Sequence, residues 1–165
     1  MTPGPTPPAG YRPCVGILLL DGNGRIFVGE RLDTPGAWQM PQGGIDEDES
    51  AIDAVFRELR EETGIETAEL LDVSNVWRSY DLPAALAAKV WGGRFRGQAQ
   101  LWCALRFTGT SEDIDIRTAH PEFSQWKWTD AETLLTEIVD FKRDLYREVL
   151  DEFRLYIGPS PRTSA

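Results

Sequence analysis

The chain has 165 residues, of which 41% are hydrophobic and 27% are charged, and these values are ordinary for a soluble globular protein with its own core. The formal net charge of −10 argues against a uniformly basic face of the kind that binds DNA or a long nucleic-acid backbone. His120 is the only histidine, which excludes multi-histidine zinc sites and leaves almost no room for a Ser-His-Asp triad. Proton-transfer chemistry is therefore expected to use carboxylates.

Both ends of the chain are rich in proline, glycine and small polar residues, which predicts disordered tails over 1–10 and 158–165 and one domain over 11–157. The first residues lack the basic and apolar regions of a signal peptide, and no apolar run approaches the ~20 residues of a membrane span. Cys14 and Cys103 lie in apolar segments without metal-ligand spacing. Buried free thiols, a cytoplasmic location and no membrane contact are expected.

The first predicted elements are two strands. The apolar run CVGILLL at 14–20 predicts a buried strand, and DGNG at 21–24 predicts a hairpin turn into RIFVGER at 25–31. A loop punctuated by glycine and proline follows, with a short strand expected at Trp38–Met40.

A helix is predicted next, from Ser50 to Thr63, with Gly64 as its C-terminal stop. One stripe of apolar side chains is expected to pack on the core, and a set of charged residues is expected to face water. Two small residues beside a group of glutamates are expected to leave space above the carboxylates. The apolar stripe consists of Ile52, Val55, Phe56 and Leu59. The charged residues are Asp53, Arg57 and Arg60, and the small residues are Ala51 and Ala54.

Strands dominate the middle of the chain. They are predicted at about 67–77, at about 98–108 and over SQWKWT at 124–129, and a final amphipathic helix is predicted at about 140–156. Strands between helices indicate an α+β fold with a mixed sheet.

Three glutamates of the predicted helix, Glu58, Glu61 and Glu62, share an arc of roughly 100°. Like charges at these spacings destabilise a helix by a few tenths of a kcal/mol per pair. One interpretation is a solvated face, in which Arg57 forms i, i+4 pairs with Asp53 and Glu61. The other is a site for a hard cation such as Mg²⁺ or Mn²⁺, which prefers oxygen ligands.

The longer spacing favours the cation site. Nine positions over 23 residues follow a fixed pattern: Gly43, five residues, Glu49, seven residues, Arg57-Glu58-Leu59, one residue, Glu61-Glu62, one residue, Gly64-Ile65. This pattern resembles the Nudix box of the Nudix hydrolases, which hydrolyse nucleoside diphosphates linked to another group.

The resemblance implies an α/β/α sandwich with a mixed sheet and a loop–helix–loop metal site. It also implies that Glu58, Glu61 and Glu62 bind Mg²⁺ or Mn²⁺, with the Gly43 carbonyl as a further ligand. Glu49 and Arg57 would then be supporting residues, because an Arg–Glu pair can brace the loop against the helix.

Segments spaced around the box resemble two groups within that family, bacterial RNA 5′-pyrophosphohydrolases and dinucleoside polyphosphate (Ap4A) hydrolases. The segments are YRPCVGILLL at 11–20, WQMPQGGID at 38–46, GQAQLW at 97–102, PEF at 121–123 and FKRDLYREV at 141–149. The resemblance implies that Arg12 and Arg31 contact phosphates and that Tyr80, Phe141 and Lys142 help to hold the first bases.

Two further points stay open. Trp77, Trp91 and Phe95 fit either a core or a base-stacking role. Ala99 and Leu101 stand where enterobacterial relatives carry lysines, so two positive charges near the substrate are missing.

The resemblance implies in-line attack of a metal-bound water on phosphorus, with Glu61, Glu62 or Glu122 accepting its proton. The predicted reaction removes pyrophosphate from triphosphorylated RNA, or phosphate from diphosphorylated RNA, and leaves a 5′-monophosphate. The alternative substrate is Ap4A, which would give ATP and AMP. A third hypothesis is an inactive Nudix-fold binding module, which the intact carboxylates argue against. The sequence indicates no oligomeric state.

Overall fold

A computed structural model describes residues 6–158. The disorder predicted for residues 1–5 and 159–165 lies outside this range. The strands are β1 (Tyr11–Leu20), β2 (Ile26–Arg31), β3 (Trp38–Gln39), β4 (Gln42–Gly44), β5 (Ala68–Asp81), β6 (Gly97–Phe107) and β7 (Phe123–Thr129). The α-helices are α1 (Ala51–Thr63), α2 (Ala84–Ala87), α3 (Ala131–Glu137) and α4 (Arg143–Glu152), and short 3₁₀ turns cover Trp91–Gly93, Ser111–Asp113 and Asp140–Lys142.

Backbone contacts reach slightly past the predicted domain, residues 11–157. The Gly10 carbonyl accepts a hydrogen bond from the Arg96 amide at 3.0 Å, and the Gly158 amide donates to the Gly24 carbonyl at 2.8 Å. The domain boundaries themselves stay a prediction.

The strands form one mixed sheet. Across the sheet the strands lie in the order β3, β2, β1, β6 and β5. In addition, β4 pairs with β1, and β7 pairs with β2. β1 and β6 run parallel, and the other pairs are antiparallel. The predicted hairpin forms, but its two strands pair only next to the turn, at Leu20 and Ile26. They then separate, and β4, which leads into α1, lies beside the first half of β1.

Helices cover both faces of the sheet. On one face, Val55 and Leu59 of α1 pack with Ile17 of β1 in a buried core. On the other face, Leu134 of α3 and Tyr146 of α4 belong to a second core together with buried residues of β1 and β6. The predicted α+β class, with a mixed sheet in an α/β/α sandwich, is confirmed.

Local capping explains why α1 begins and ends where predicted. The Ser50 hydroxyl accepts a hydrogen bond from the Asp53 amide at 3.1 Å, which satisfies one of the free N–H groups of the first turn. Gly64 ends the helix in the left-handed region, at φ 72°, and its amide donates to the Arg60 carbonyl at 2.8 Å. Ile52 and Phe56 of the predicted core stripe are only partly buried.

The last helices differ from the prediction. α3 was not predicted, because seven residues are too few for a clear helical period. Asp130 caps it by accepting from the Thr133 amide at 2.9 Å. The helix predicted at about 140–156 is divided: a 3₁₀ turn over Asp140–Lys142 precedes α4, which ends at Glu152.

Cys14 and Cys103 are both buried and free, as predicted. No helix within residues 6–158 is long and apolar enough to cross a membrane.

Candidate active site

A cleft of about 620 Å³ opens between β4, α1 and the loop that precedes β7. It brings together residues that the sequence analysis selected from distant parts of the chain. These are Arg12, Arg31, Gly43, Glu58, Glu61, Glu62 and Glu122.

Arg57 connects the loop before α1 to the helix itself. Its guanidinium makes two bonds to the Glu49 carboxylate, at 2.7 and 2.8 Å, and one to the Gly44 carbonyl at 2.8 Å. It also donates to Glu58 at 2.9 Å and to Glu61 at 3.1 Å. These bonds fit the supporting roles expected for Glu49 and Arg57, and they lower the pKa of Glu49 to about 2. The expectation that Arg57 faces water is wrong.

The two alanines of α1 do not line the cleft. Ala54 is fully buried in the core, and Ala51 packs against the same core. The expectation that they leave space above the carboxylates is therefore wrong. The space comes from β4, because a Cβ at Gly43 would overlap the Glu58 carboxylate.

Glu62 is the most deeply buried carboxylate of the cleft, with 7% of its surface exposed. Burial raises its pKa well above the ordinary value, and the nearby negative charges of Glu58 and Glu122 raise it further. The backbone amide of Gln42 donates a long hydrogen bond, at 3.3 Å, to this carboxylate. Burial also raises the pKa of Glu58, and the Arg57 guanidinium opposes that rise. The cleft therefore concentrates negative charge that its own cations offset only in part.

In the described part of the chain, no three His, Cys, Asp or Glu side chains are arranged so that they already form a metal site. Arg57 instead engages both Glu58 and Glu61. Two observations nevertheless fit a hard cation. The acidic groups are all oxygen donors, gathered where glycine leaves room for a carboxylate. The Thr118 hydroxyl on the cleft wall is buried and has no hydrogen-bond partner within residues 6–158.

The two arginines expected to contact phosphates both line the cleft. The Arg12 guanidinium lies over the Trp91 ring, 5.3 Å from its centroid, and forms no ion pair with a carboxylate of the described residues. Arg31 makes two hydrogen bonds to the Asp33 carboxylate, at 2.8 and 2.6 Å. Arg12 is therefore free to bind a phosphate, whereas Arg31 must share its guanidinium with Asp33.

The residues expected to hold bases form a second pocket of about 470 Å³ beside the cleft. The ring centroids of Tyr80 and Phe141 are 5.7 Å apart, and Lys142 Nζ lies 5.4 Å from the Tyr80 ring centroid. Lys142 is only 2% exposed, and its burial, together with the charge of Arg31, lowers its pKa to about 8. Trp91 also lines this pocket, which favours the stacking role over the core role for that residue.

A family comparison decides what kind of protein carries this cleft. The NUDIX domain model matches residues 10–149. The chain belongs to the Nudix family. An RNA pyrophosphohydrolase of Rhodospirillum rubrum is 49% identical over 164 residues, which cover 98% of this chain and 99% of that protein. An RNA pyrophosphohydrolase of Roseobacter denitrificans is 50% identical over 160 residues, which cover 95% and 100%.

Solved structures of Nudix type share the fold. The dihydroneopterin triphosphate pyrophosphohydrolase of E. coli is similar with a TM-score of 0.69 at 20% identity, covering 86% of this chain and 98% of that one. A C. elegans Ap4A hydrolase complex is similar with a TM-score of 0.61 at 16% identity, covering 86% and 98%. Nudix hydrolases generally use divalent metal ions.

Glutamines form a part of this Nudix site that the sequence analysis did not identify. Gln39 and Gln42 come from WQMPQGGID, and Gln98 and Gln100 come from GQAQLW. Gln39, Gln42 and Gln98 line the cleft, and Gln100 lies beneath it. The signal was present in the two segments, but glutamine alone has no strong preference for catalytic sites, so only the three-dimensional arrangement reveals the cluster.

Proposed function

We propose that this protein is a divalent-metal-dependent RNA pyrophosphohydrolase. It would remove pyrophosphate from the 5′ end of triphosphorylated RNA, leave a 5′-monophosphate and thereby promote RNA decay. The observation that carries the proposal is the adjacency of two cavities. The carboxylate cleft and the aromatic pocket share Arg31, Gln42 and Gln98, so a 5′ polyphosphate in the cleft can continue into a base in the pocket.

The relatives favour RNA over Ap4A. Proteins that are about half identical along almost the whole chain bear the name RNA pyrophosphohydrolase. The C. elegans Ap4A hydrolase shares the fold at 16% identity, a level at which substrates are not transferable. A binding module without activity is not supported, because all the box carboxylates are present.

In the proposed mechanism, Glu58, Glu61 and Glu62 would hold the cation, with the Gly43 carbonyl as a further ligand. When bound, Mg²⁺ or Mn²⁺ would neutralise phosphate charge and acidify a water molecule. A carboxylate accepts the proton of the attacking water, and Glu61, Glu62 and Glu122 are the candidates for this role.

The other residues bind and orient the RNA end. Arg12 and Arg31 bind the phosphates, and Tyr80, Phe141 and Lys142 hold the first bases, where ring stacking contributes about 1–3 kcal/mol per base. The net charge of −10 gives little long-range attraction to RNA, so recognition is confined to these local contacts.

The test compares kcat/KM for a short 5′-triphosphate oligonucleotide and for Ap4A, at the same salt and with Mg²⁺ or Mn²⁺. We expect release of pyrophosphate, or of two phosphates in sequence, and an RNA product with a 5′-monophosphate. Lengthening the oligonucleotide beyond the first few nucleotides should change kcat/KM little. Glu61→Gln and Glu62→Gln are the matched inactive controls. A preference of about a hundredfold or more for Ap4A, which is nearly 3 kcal/mol in the transition state, would overturn the RNA assignment.

A further inference from the structure

A chain of side-chain hydrogen bonds runs beneath the cleft. The Trp102 indole Nε1–H donates to Gln100 Oε1 at 3.0 Å. Gln100 Nε2 then donates to two oxygens, Gln98 Oε1 and Gln42 Oε1, each at 2.9 Å. Trp102 and Gln100 are fully buried, and Gln98 is 9% exposed at the cleft. This series of hydrogen bonds therefore connects the protein core to the cleft surface.

The direction of donation along these hydrogen bonds is fixed at their buried end. An indole N–H donates and cannot accept, so the oxygen of Gln100 must face Trp102. The NH₂ group of Gln100 must then face outward, where it requires acceptors. Reversing the Gln100 amide would place its NH₂ group against the indole N–H and leave both buried donors unsatisfied.

Two cations impose the same direction at the other end. Lys142 Nζ donates to Gln39 Oε1 at 3.3 Å and lies 3.5 Å from Gln42 Oε1. Arg31 also donates to Gln39 Oε1, at 3.4 Å. Ammonium and guanidinium groups only donate, so they hold these carbonyl oxygens towards themselves.

The glutamine side chains of the cleft wall are therefore oriented in the same way. The side-chain oxygens of Gln39, Gln42 and Gln98 are all occupied by donors from the protein. Burial raises the pKa of the Tyr80 hydroxyl, and the nearby Gln42 side chain opposes that rise. This leaves the NH₂ groups of Gln39 and Gln98 to face the cleft, which both residues line.

We propose that Trp102 and Gln100 are positioning residues, which orient the Gln98 amide so that its NH₂ group donates to a nonbridging oxygen of the substrate polyphosphate. The inference rests on the proposed function, since it needs a polyphosphate in the cleft. Gln98 would touch the substrate, whereas Trp102 and Gln100 would not touch it and would influence its phosphates through Gln98.

Neutral donors suit this cleft for an electrostatic reason. An ammonium group here would form ion pairs with the helix glutamates and compete with a cation for them, whereas an amide NH₂ group binds phosphate oxygens without neutralising the carboxylates. Ala99 and Leu101 cannot supply a charge, because both are buried on the face of β6 opposite to Gln98 and Gln100. The amides therefore provide phosphate donors without the lysines that are missing at those two positions.

The test is a double-mutant cycle on the full chain with the 5′-triphosphate oligonucleotide as substrate. Gln98→Ala should raise KM about tenfold, the usual effect of one hydrogen bond to a charged group, and should change kcat little. Trp102→Phe removes the indole donor and keeps a ring, and it should raise KM severalfold. The double variant should be no worse than Gln98→Ala alone, because Trp102 acts through Gln98.

A second variant and a control separate positioning from folding. Gln100→Met removes the amide at nearly constant volume, and its effect on KM should also disappear in the Gln98→Ala background. Phe153→Leu changes another fully buried aromatic of the same core and should lower the melting temperature without raising KM. Independent, multiplicative effects of Gln98→Ala with both Trp102→Phe and Gln100→Met would overturn the inference, as would an unchanged KM in Gln98→Ala.

Failure of the inference and failure of the proposed function have different signatures. A wild-type protein that does not hydrolyse the oligonucleotide refutes the proposed function, and the same cycle is then measured with Ap4A, whose polyphosphate would meet the same amides. Coupling with Ap4A would still support the positioning role. Hydrolysis of RNA in which the substitutions at Gln98, Trp102 and Gln100 have independent effects on KM refutes the positioning role alone.

Discussion

Replacing Glu62 by glutamine should separate stability from activity in this protein. Glu62 is 7% exposed, lies one helical turn from Glu58 and is within the electrostatic influence of Glu122. Without a cation, its negative charge is desolvated and repelled. Glu62→Gln keeps the shape of the side chain and an oxygen for the Gln42 amide, and removes the charge. The metal-free variant should therefore be more stable than the wild type, and inactive.

The magnitude follows from two contributions. Repulsion between like charges one helical turn apart contributes a few tenths of a kcal/mol. Burial of an unsatisfied polar group costs about 1–3 kcal/mol, and proton uptake by Glu62, whose pKa burial raises, keeps the cost of its charge near that range. A gain of about 1–3 kcal/mol in the free energy of unfolding corresponds to a rise of about 2–12 °C in melting temperature for a chain of this size. The activity should fall by orders of magnitude, because the variant lacks one of the carboxylates proposed to bind the metal.

The assay is thermal unfolding of wild type and variant in EDTA and in Mg²⁺ at neutral pH, together with kcat. Mg²⁺ at about a hundred times its Kd would stabilise the wild type by about 2.7 kcal/mol, and the variant should lose most of that gain. Glu66→Gln is the matched control, because it makes the same charge change at an exposed residue outside the cleft. It should keep the wild-type activity and the Mg²⁺ response.

Two results would refute this reasoning. A lower melting temperature of Glu62→Gln in EDTA would show that the Glu62 charge is well paired in the metal-free protein. A wild-type Mg²⁺ response in the variant would show that Glu62 does not bind the cation.

Three further predictions use the same protein preparation. Arg12→Ala should raise KM for the triphosphate oligonucleotide at least tenfold and leave the melting temperature nearly unchanged, because Arg12 contacts the Trp91 ring and no carboxylate of the described residues; a variant that unfolds readily but keeps its KM would make Arg12 structural. Arg57 lowers the pKa of Glu49 from 4.5 to about 2, so the stability from this pair is fully present above about pH 4.5 and is lost as the pH falls towards 2. Glu49→Gln should flatten the melting temperature across that window, and an unchanged acid profile would contradict the pairing. Leu101→Lys should lower the melting temperature and fail to increase RNA hydrolysis, because Leu101 is 5% exposed and its replacement buries an ammonium group; higher kcat/KM on RNA would show that the side chain reaches the substrate.

Helix α1 could be predicted from the sequence because its determinants are local. Ser50 and Gly64 set the ends of α1 through contacts within one turn. The spacing of the glutamates along the helix then fixes their common arc, whatever packs around it. The continuous apolar run of β1 likewise predicted a buried strand, since β1 and β6 are both covered on two faces.

The surroundings of those glutamates could not be read in this way. Helical spacing placed Arg57 on the water-facing side, but β4 supplies the Gly44 carbonyl and the loop after β4 supplies Glu49 as partners. Helical spacing also put Ala54 near the glutamates, whereas the packing of α1 on the sheet buries it completely. Both errors arise because spacing along a helix does not specify which neighbouring element covers each side.

The sequence by itself determined the family, the sandwich and a set of candidate site residues, since a sequence motif and the periodicity of apolar residues depend on near neighbours. The tertiary structure decided which of them meet. β6 lies parallel to β1 along one edge of that strand, and β4 pairs with its opposite edge. This arrangement brings Gln98 and Gln100 within reach of Gln42. The direction of their amides is set by Trp102 below and by Lys142 beside them, residues distant in sequence. Hydrogen-bond direction depends on the donors and acceptors that surround a group in space, and these are defined only when the chain is folded.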